Sequence, residues 1–93
     1  MRIRVTARAR RQIGNLPAPA GRSVANALRT LRVAPRSGPA YPDESPLAGK
    51  RFKTVNVRRR WSYRITYELT AAEIIVLTID PPWYQPSAND LRR

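Results

Sequence analysis

The sequence predicts a small α+β domain with the element order strand, helix, helix, strand, strand, strand. Three observations carry that expectation. Two apolar stripes at helical spacing lie within residues 9–31, a proline-rich break follows, and three β-forming runs occupy residues 52–80. At 93 residues there is room for one domain. It is expected over residues 1–80, with 81–93 as an irregular C-terminal tail.

Ile3 and Val5 alternate with Arg2 and Arg4, the pattern of a short strand. Thr6 then offers a hydroxyl to cap a helix. Ala9, Ile13 and Leu16 recur at helical spacing, and Gly14, Asn15 and Pro17 keep this first helix short. From about Pro19 to Val33 a second stripe of Val24, Leu28 and Leu31 runs with Ala20 and Ala27. Arg22, Asn26, Arg29 and Arg32 are left outside it. Pro35, Pro39, Pro42 and Pro46, with Gly38 and Gly49, mark a loop. Phe52 to Arg58 reads as a strand of imperfect alternation. Trp61, Tyr63, Ile65, Tyr67 and Leu69 alternate cleanly with polar residues, and Ile74 to Asp80 is strongly β-forming. Pro81 to Arg93 carries three prolines and is expected to extend from the sheet without regular structure.

The apolar pattern also selects a register for the last hairpin. Pairing Ile65 with Ile79, Tyr67 with Leu77 and Leu69 with Ile75 puts six apolar residues on one face. The other face then sets Arg64 opposite Asp80, Thr66 opposite Thr78 and Glu68 opposite Val76. A slip of one residue would place Tyr67 against Val76 and is the poorer match.

Charge narrows the chemistry. The chain holds sixteen arginines and two lysines against 6 acidic residues, a formal net charge of +12. Such a field favours polyanions and acidic proteins and opposes self-association, so a free monomer is expected. Arginine adds a planar fork of donors suited to phosphate. Cysteine and histidine are both absent, which removes thiol nucleophiles, Cys/His metal sites and imidazole acid–base chemistry. The carboxylates show no Asp-x-Asp or Glu-x-Lys arrangement, so neither a metal nor a cofactor is expected. Ile74–Leu77 is the longest apolar run, far short of a membrane span, and the N-terminus lacks the apolar stretch of a signal peptide. A cytoplasmic protein without a membrane partner is the expectation.

Particular residues now meet this element order. Leu47-Ala48-Gly49 opens the sheet half, Tyr63-Arg64-Ile65-Thr66-Tyr67 follows, and the last β-run is Glu73-Ile74-Ile75-Val76-Leu77-Thr78-Ile79. With the opening Ile3-x-Val5-Thr6-x-x-Ala9, the chain resembles the RelE/ParE superfamily of bacterial toxins over roughly residues 2–80. The resemblance implies a RelE-like fold: two N-terminal helices on one face of a twisted, mainly antiparallel four-stranded sheet. It also implies the toxin of a type II toxin–antitoxin system, neutralised in a complex with a cognate acidic antitoxin. RelE-like members cleave messenger RNA in the ribosomal A site, whereas ParE-like members inhibit DNA gyrase.

For a ribosome-dependent endoribonuclease, the implied partners are messenger RNA and the ribosome, and the implied chemistry is metal-independent 2′-hydroxyl attack on the adjacent phosphate. Arg64 matches the family arginine that contacts the scissile phosphate; the other reading of the same residue is a cross-strand pair with Asp80. Lys53 lies in the strand where the nucleases carry lysines, and Tyr84 is the candidate for the aromatic role near the C-terminus. Lys50, Arg51, Arg58, Arg59 and Arg60 are the candidates for RNA backbone contacts. Trp61, Tyr63 and Tyr67 are expected to pack. One segment departs from the family pattern: Asp80-Pro81-Pro82-Trp83-Tyr84 carries no cation, and none follows before Arg92. That departure keeps open a ParE-like gyrase inhibitor, or a non-catalytic toxin-fold protein that binds nucleic acid.

Overall fold

A computed structural model describes residues 1–59 and 61–93. Arg60, one of the expected RNA-binding residues, lies outside the described residues. In chain order the elements are β1 (Arg2–Val5), α1 (Ala7–Gly14), α2 (Ala18–Val33), β2 (Arg51–Arg58), β3 (Trp61–Leu69) and β4 (Glu73–Asp80), followed by a 3₁₀ turn at Asn89–Leu91. The sheet order is β1-β4-β3-β2. The β2–β3 and β3–β4 pairs are antiparallel, and β1 joins β4 in parallel. This is the expected α+β architecture. Among the described residues, no helix is long and apolar enough to cross a membrane.

Thr6 ends β1 and starts α1. Its hydroxyl accepts a hydrogen bond from the Ala9 N–H at 3.2 Å and donates to the Leu77 carbonyl at 3.0 Å. The cap predicted from sequence therefore also ties the helix to the central strand. Both helices then press one stripe onto one face of the sheet. Ala9 from α1 and Val24, Ala27 and Leu31 from α2 close over Val55, Ile65, Tyr67, Ile74, Val76 and Ile79 in one apolar cluster. In the loop, Gly38 is required by space. A Cβ there would lie 2.3 Å from the Phe52 carbonyl oxygen and 2.6 Å from the Tyr67 hydroxyl.

The register of the last hairpin is half as predicted. Arg64 faces Asp80, Ile65 faces Ile79 and Thr66 faces Thr78. The pairing then shifts by one residue, so that Tyr67 meets Val76, Glu68 meets Ile75 and Leu69 meets Ile74. Leu77 is the extra residue of a β-bulge. The reason lies in β4 itself, where Ile74-Ile75-Val76-Leu77 is apolar without alternation and specifies no register. The bulge turns Ile74, Val76 and Ile79 together towards the helices. Ile75 and Leu77 are also buried but stand outside that cluster.

Residues 81–93 correct a second expectation. The tail does not extend from the sheet but doubles back. Its 3₁₀ turn packs against β4, Pro86 is buried, and Arg93 pairs with Glu68 of β3.

Candidate phosphate-binding face

Strand alternation sorts the candidate residues between two faces. Ile65, Tyr67 and Leu69 point to the helices, so Arg64, Thr66 and Glu68 point the other way, onto the open face. Phe52 and Thr54 of β2 stand opposite Thr66 and Arg64, and Thr78 and Asp80 of β4 flank the same two residues on the other side. Arg64 thus sits in the middle of an open-face patch. Its guanidinium carbon lies 5.2 Å from the centre of the Phe52 ring, within cation–π range. Phe52 is steadied in turn by Tyr41, the ring centres 4.8 Å apart, and the Tyr41 hydroxyl lies 3.3 Å from Thr66 Oγ1.

The register invites an ion pair between Arg64 and Asp80, yet the carboxylate is engaged elsewhere. Gln12 Nε2 donates to Asp80 Oδ1 at 3.0 Å, Thr78 Oγ1 donates to Oδ2 at 2.7 Å, and an Arg8 nitrogen lies 3.6 Å from Oδ1. Arg64 Nε is buried and has no hydrogen-bond partner among the described residues. A buried donor without an acceptor is costly, by about 1–3 kcal/mol, and in native structures it calls for an explanation. The outer nitrogens of the same guanidinium are not sealed in this way and make no ion pair among the described residues, which leaves them open to an oxyanion from outside the chain.

The other expected site residues do not converge on Arg64. Lys53 is the cross-strand partner of Ile65 and therefore lies on the helix side of the sheet. Tyr84 donates to Asp90 Oδ2 at 2.7 Å. That bond to a carboxylate raises the tyrosine pKa above its usual value. Asp90 is lowered, first by the Ser87 N–H and then by the tyrosine. Lys50 pairs with Glu68 at 3.7 Å, and Arg51 donates to the Gly38 carbonyl at 2.7 Å. Both are thus engaged within the chain. Arg58 and Arg59 are exposed at the β2–β3 turn.

Sequence reasoning missed Arg8 and Gln12, which lie off the apolar stripe of α1. Gln12 Oε1 accepts the Ile79 N–H at 2.8 Å, so the helix side chain continues the edge pairing where β1 has stopped. Arg8 joins Asp80 to Asp90, 3.1 Å from the latter. The available signal was their spacing of four residues just after a capped strand end, which puts both on the same side of the helix.

No protein-family model and no curated protein matches the chain. Solved structures do. A chain of the toxin–antitoxin complex RelBE2 from Mycobacterium tuberculosis is 27% identical, with a TM-score of 0.67 over 86% of this chain and 95% of that one. The YoeB/ParE toxin from Agrobacterium tumefaciens superposes with a TM-score of 0.66 at 13% identity, over 89% of this chain and 100% of its own. The fold is that of the RelE/ParE toxin superfamily. Within that RelE/ParE frame the sequence motifs acquire positions. Tyr63-Arg64-Ile65-Thr66-Tyr67 is the middle of β3, its apolar members facing the helices and Arg64 the open face. Leu47 is buried, and Gly49 turns the chain into β2 with φ +85°.

Proposed function

We propose that the chain is the toxin of a toxin–antitoxin pair and an endoribonuclease that cleaves messenger RNA on the ribosome. The observation that carries this reading is Arg64, a cation on the open sheet face that has no ion pair among the described residues while Asp80 is held by Gln12, Thr78 and Arg8. In the proposed reaction the ribose 2′-oxygen attacks the adjacent phosphorus and the 5′-oxygen leaves. Arg64 binds the non-bridging oxygens and stabilises the charge that builds on them. Lys53 stands on the other face and Tyr84 is bonded to Asp90, so neither is assigned the proton transfer. The in-line geometry comes from the ribosome, which holds the message in place and removes most of the orientational cost. A net charge of +12 suits both the RNA and an acidic antitoxin, which is the proposed partner of the resting protein.

A second reading has its own support. The segment from Asp80 to Tyr84 offers no cation, as expected of a ParE-like gyrase inhibitor that has no phosphate to cleave. Induction in bacteria separates the two. Loss of messages with intact DNA, reproduced with purified ribosomes and abolished by Arg64→Ala, is the result expected here. The single variant should lower cleavage by roughly 10²–10³-fold, the usual effect of removing one such donor. DNA damage with intact messages would transfer the function to gyrase.

A further inference from the structure

We infer that the end of the sheet beside Arg64 carries a stacking site for one unpaired nucleobase of single-stranded RNA, a reading that rests on the function proposed above. The site originates in the two prolines after β4. Neither Pro81 nor Pro82 has an N–H to donate, so the β4 ladder ends at the Arg64–Asp80 pair. β3 nevertheless begins three residues earlier, and Trp61, Ser62 and Tyr63 pair with β2 alone. The chain beyond β4 turns at once, the Tyr84 N–H donating to the Pro81 carbonyl at 3.1 Å. Between the unpaired stretch of β3 and this turn lies a cleft of 440 Å³, lined by Trp61, Ser62, Tyr63, Pro81, Pro82 and Trp83.

Three features select the occupant. The walls are aromatic: the Trp61 and Tyr63 rings stand 5.9 Å apart, and Trp83 is 82% exposed, a large apolar surface for a single side chain to leave uncovered. The rim is cationic. Arg58 is the cross-strand partner of Trp61, Arg59 follows it, and neither makes an ion pair among the described residues. Finally, the cleft opens at the end of the sheet, with Trp61 and Tyr63 on the helix-side face of β3 and Arg64, about 10 Å along the strand from Trp61, on the open face. Aromatic faces with arginines beside them recognise single-stranded nucleic acid, the faces taking bases and the arginines taking phosphates. An acidic peptide would use the arginines but would leave the rings without a flat partner. A base in the cleft therefore belongs to a nucleotide whose phosphates meet the Arg58–Arg59 rim.

Both tryptophans of the chain line this cleft, so intrinsic fluorescence reports on it directly. Titration of the protein with a six-nucleotide unstructured RNA at low salt should quench that emission, whereas an RNA duplex of equal charge should not. Trp83→Ala should weaken binding of the short RNA by about 5- to 150-fold, the equivalent of one stacked base, and Trp83→Phe should restore most of it. Trp83 is exposed, so the variants retain the fold, and a thermal melt checks this. Unquenched tryptophans in the RNA-bound protein, equal quenching by duplex, or an unchanged affinity of Trp83→Ala would each overturn the stacking site. Quenching by an acidic peptide but not by RNA would reassign the cleft to a protein partner. Ribosome-dependent cleavage keeps the two proposals apart. If Trp83→Ala cleaves normally and binds RNA as before, only the base site is lost; if the wild-type protein neither binds nor cleaves RNA, the nuclease reading falls as well.

Discussion

Asp80 and Arg64 are directly opposed in the β-ladder, and the structure assigns them separate work. Truncation of each to alanine measures the separation. Asp80 is only 5% exposed, and its carboxylate holds Gln12 Nε2 and Thr78 Oγ1. In Asp80→Ala, Thr78 can turn its proton to Gln12 Oε1, already 3.2 Å away, so one donor rather than two is stranded. The stranded amide and the lost charge-assisted bond together cost about 2–3 kcal/mol. Arg8 adds little, because its side chain is one-third exposed and its distance to Asp80 is 3.6 Å. For a chain of this length the melting temperature should fall by about 10–20 °C. Arg64→Ala has a different balance. It forfeits the contact with Phe52, about 0.5–1 kcal/mol, and relieves the burial of an unpartnered Nε, so stability should change by less than about 1 kcal/mol. A double-mutant cycle by chemical denaturation gives the coupling between them, expected below about 0.5 kcal/mol. A coupling above 1 kcal/mol would mean that the two do pair in solution. Arg64 would then be held by Asp80 and not be free to bind a phosphate.

Two further outcomes follow from the surface and the tail. Replacing Arg58 and Arg59 by alanine should weaken RNA binding irrespective of sequence and flatten its salt dependence by about 1.4 units, since each phosphate contact on a single strand contributes about 0.7; filter binding across a salt series checks this. Tail docking should depend on pH at both ends. Hydrogen bonding to Asp90 raises the Tyr84 pKa, so the stability of that contact is complete below about pH 10 and lost as pH rises through the raised value. The Ser87 N–H and Tyr84 lower Asp90, so its contribution holds above about pH 4 and disappears as pH falls through the lowered value. Limited proteolysis between residues 84 and 93 should accelerate outside that window, and Tyr84→Phe should abolish the alkaline limb and reduce the acid limb to what the Ser87 N–H supplies.

Most of the backbone was legible from residue pattern because local signals agreed. Thr6, the two helical stripes and the alternation from Trp61 to Leu69 each point to a single conformation. Where a pattern was absent, prediction failed for that reason. β4 is apolar on both sides, so alternation could not reveal the bulge at Leu77, and the register from Tyr67 onward was set by which residues the helices cover. The tail reads as irregular from its prolines, but Arg93 and Asp90 find partners on distant elements, Glu68 and Arg8, which no local window contains. The site was legible only in part. Alternation alone puts Arg64 on the face opposite Ile65. That Asp80 turns to Gln12 and Arg8 depends on how α1 lies along β4, a tertiary fact.

The placement of charge on the sheet gives the remaining step. Four carboxylates lie on the sheet or its tail, and each has a cation of the chain: Glu73 has Arg4, Glu68 has Lys50 and Arg93, and Asp80 and Asp90 share Arg8. These pairs take up Arg4 of β1, Arg8 of α1, Lys50 and Arg93. Arg58, Arg59 and Arg64, on or beside β3, are among the cations without an ion pair among the described residues, as are Arg2, Arg10, Arg11 and the arginines of α2. Within this wider field, Arg58, Arg59 and Arg64 follow the start of one strand, from the β2–β3 turn to the middle of the open face. That line of charge fits an extended polyanion laid along β3, with the unpaired Nε of Arg64 at its inner end.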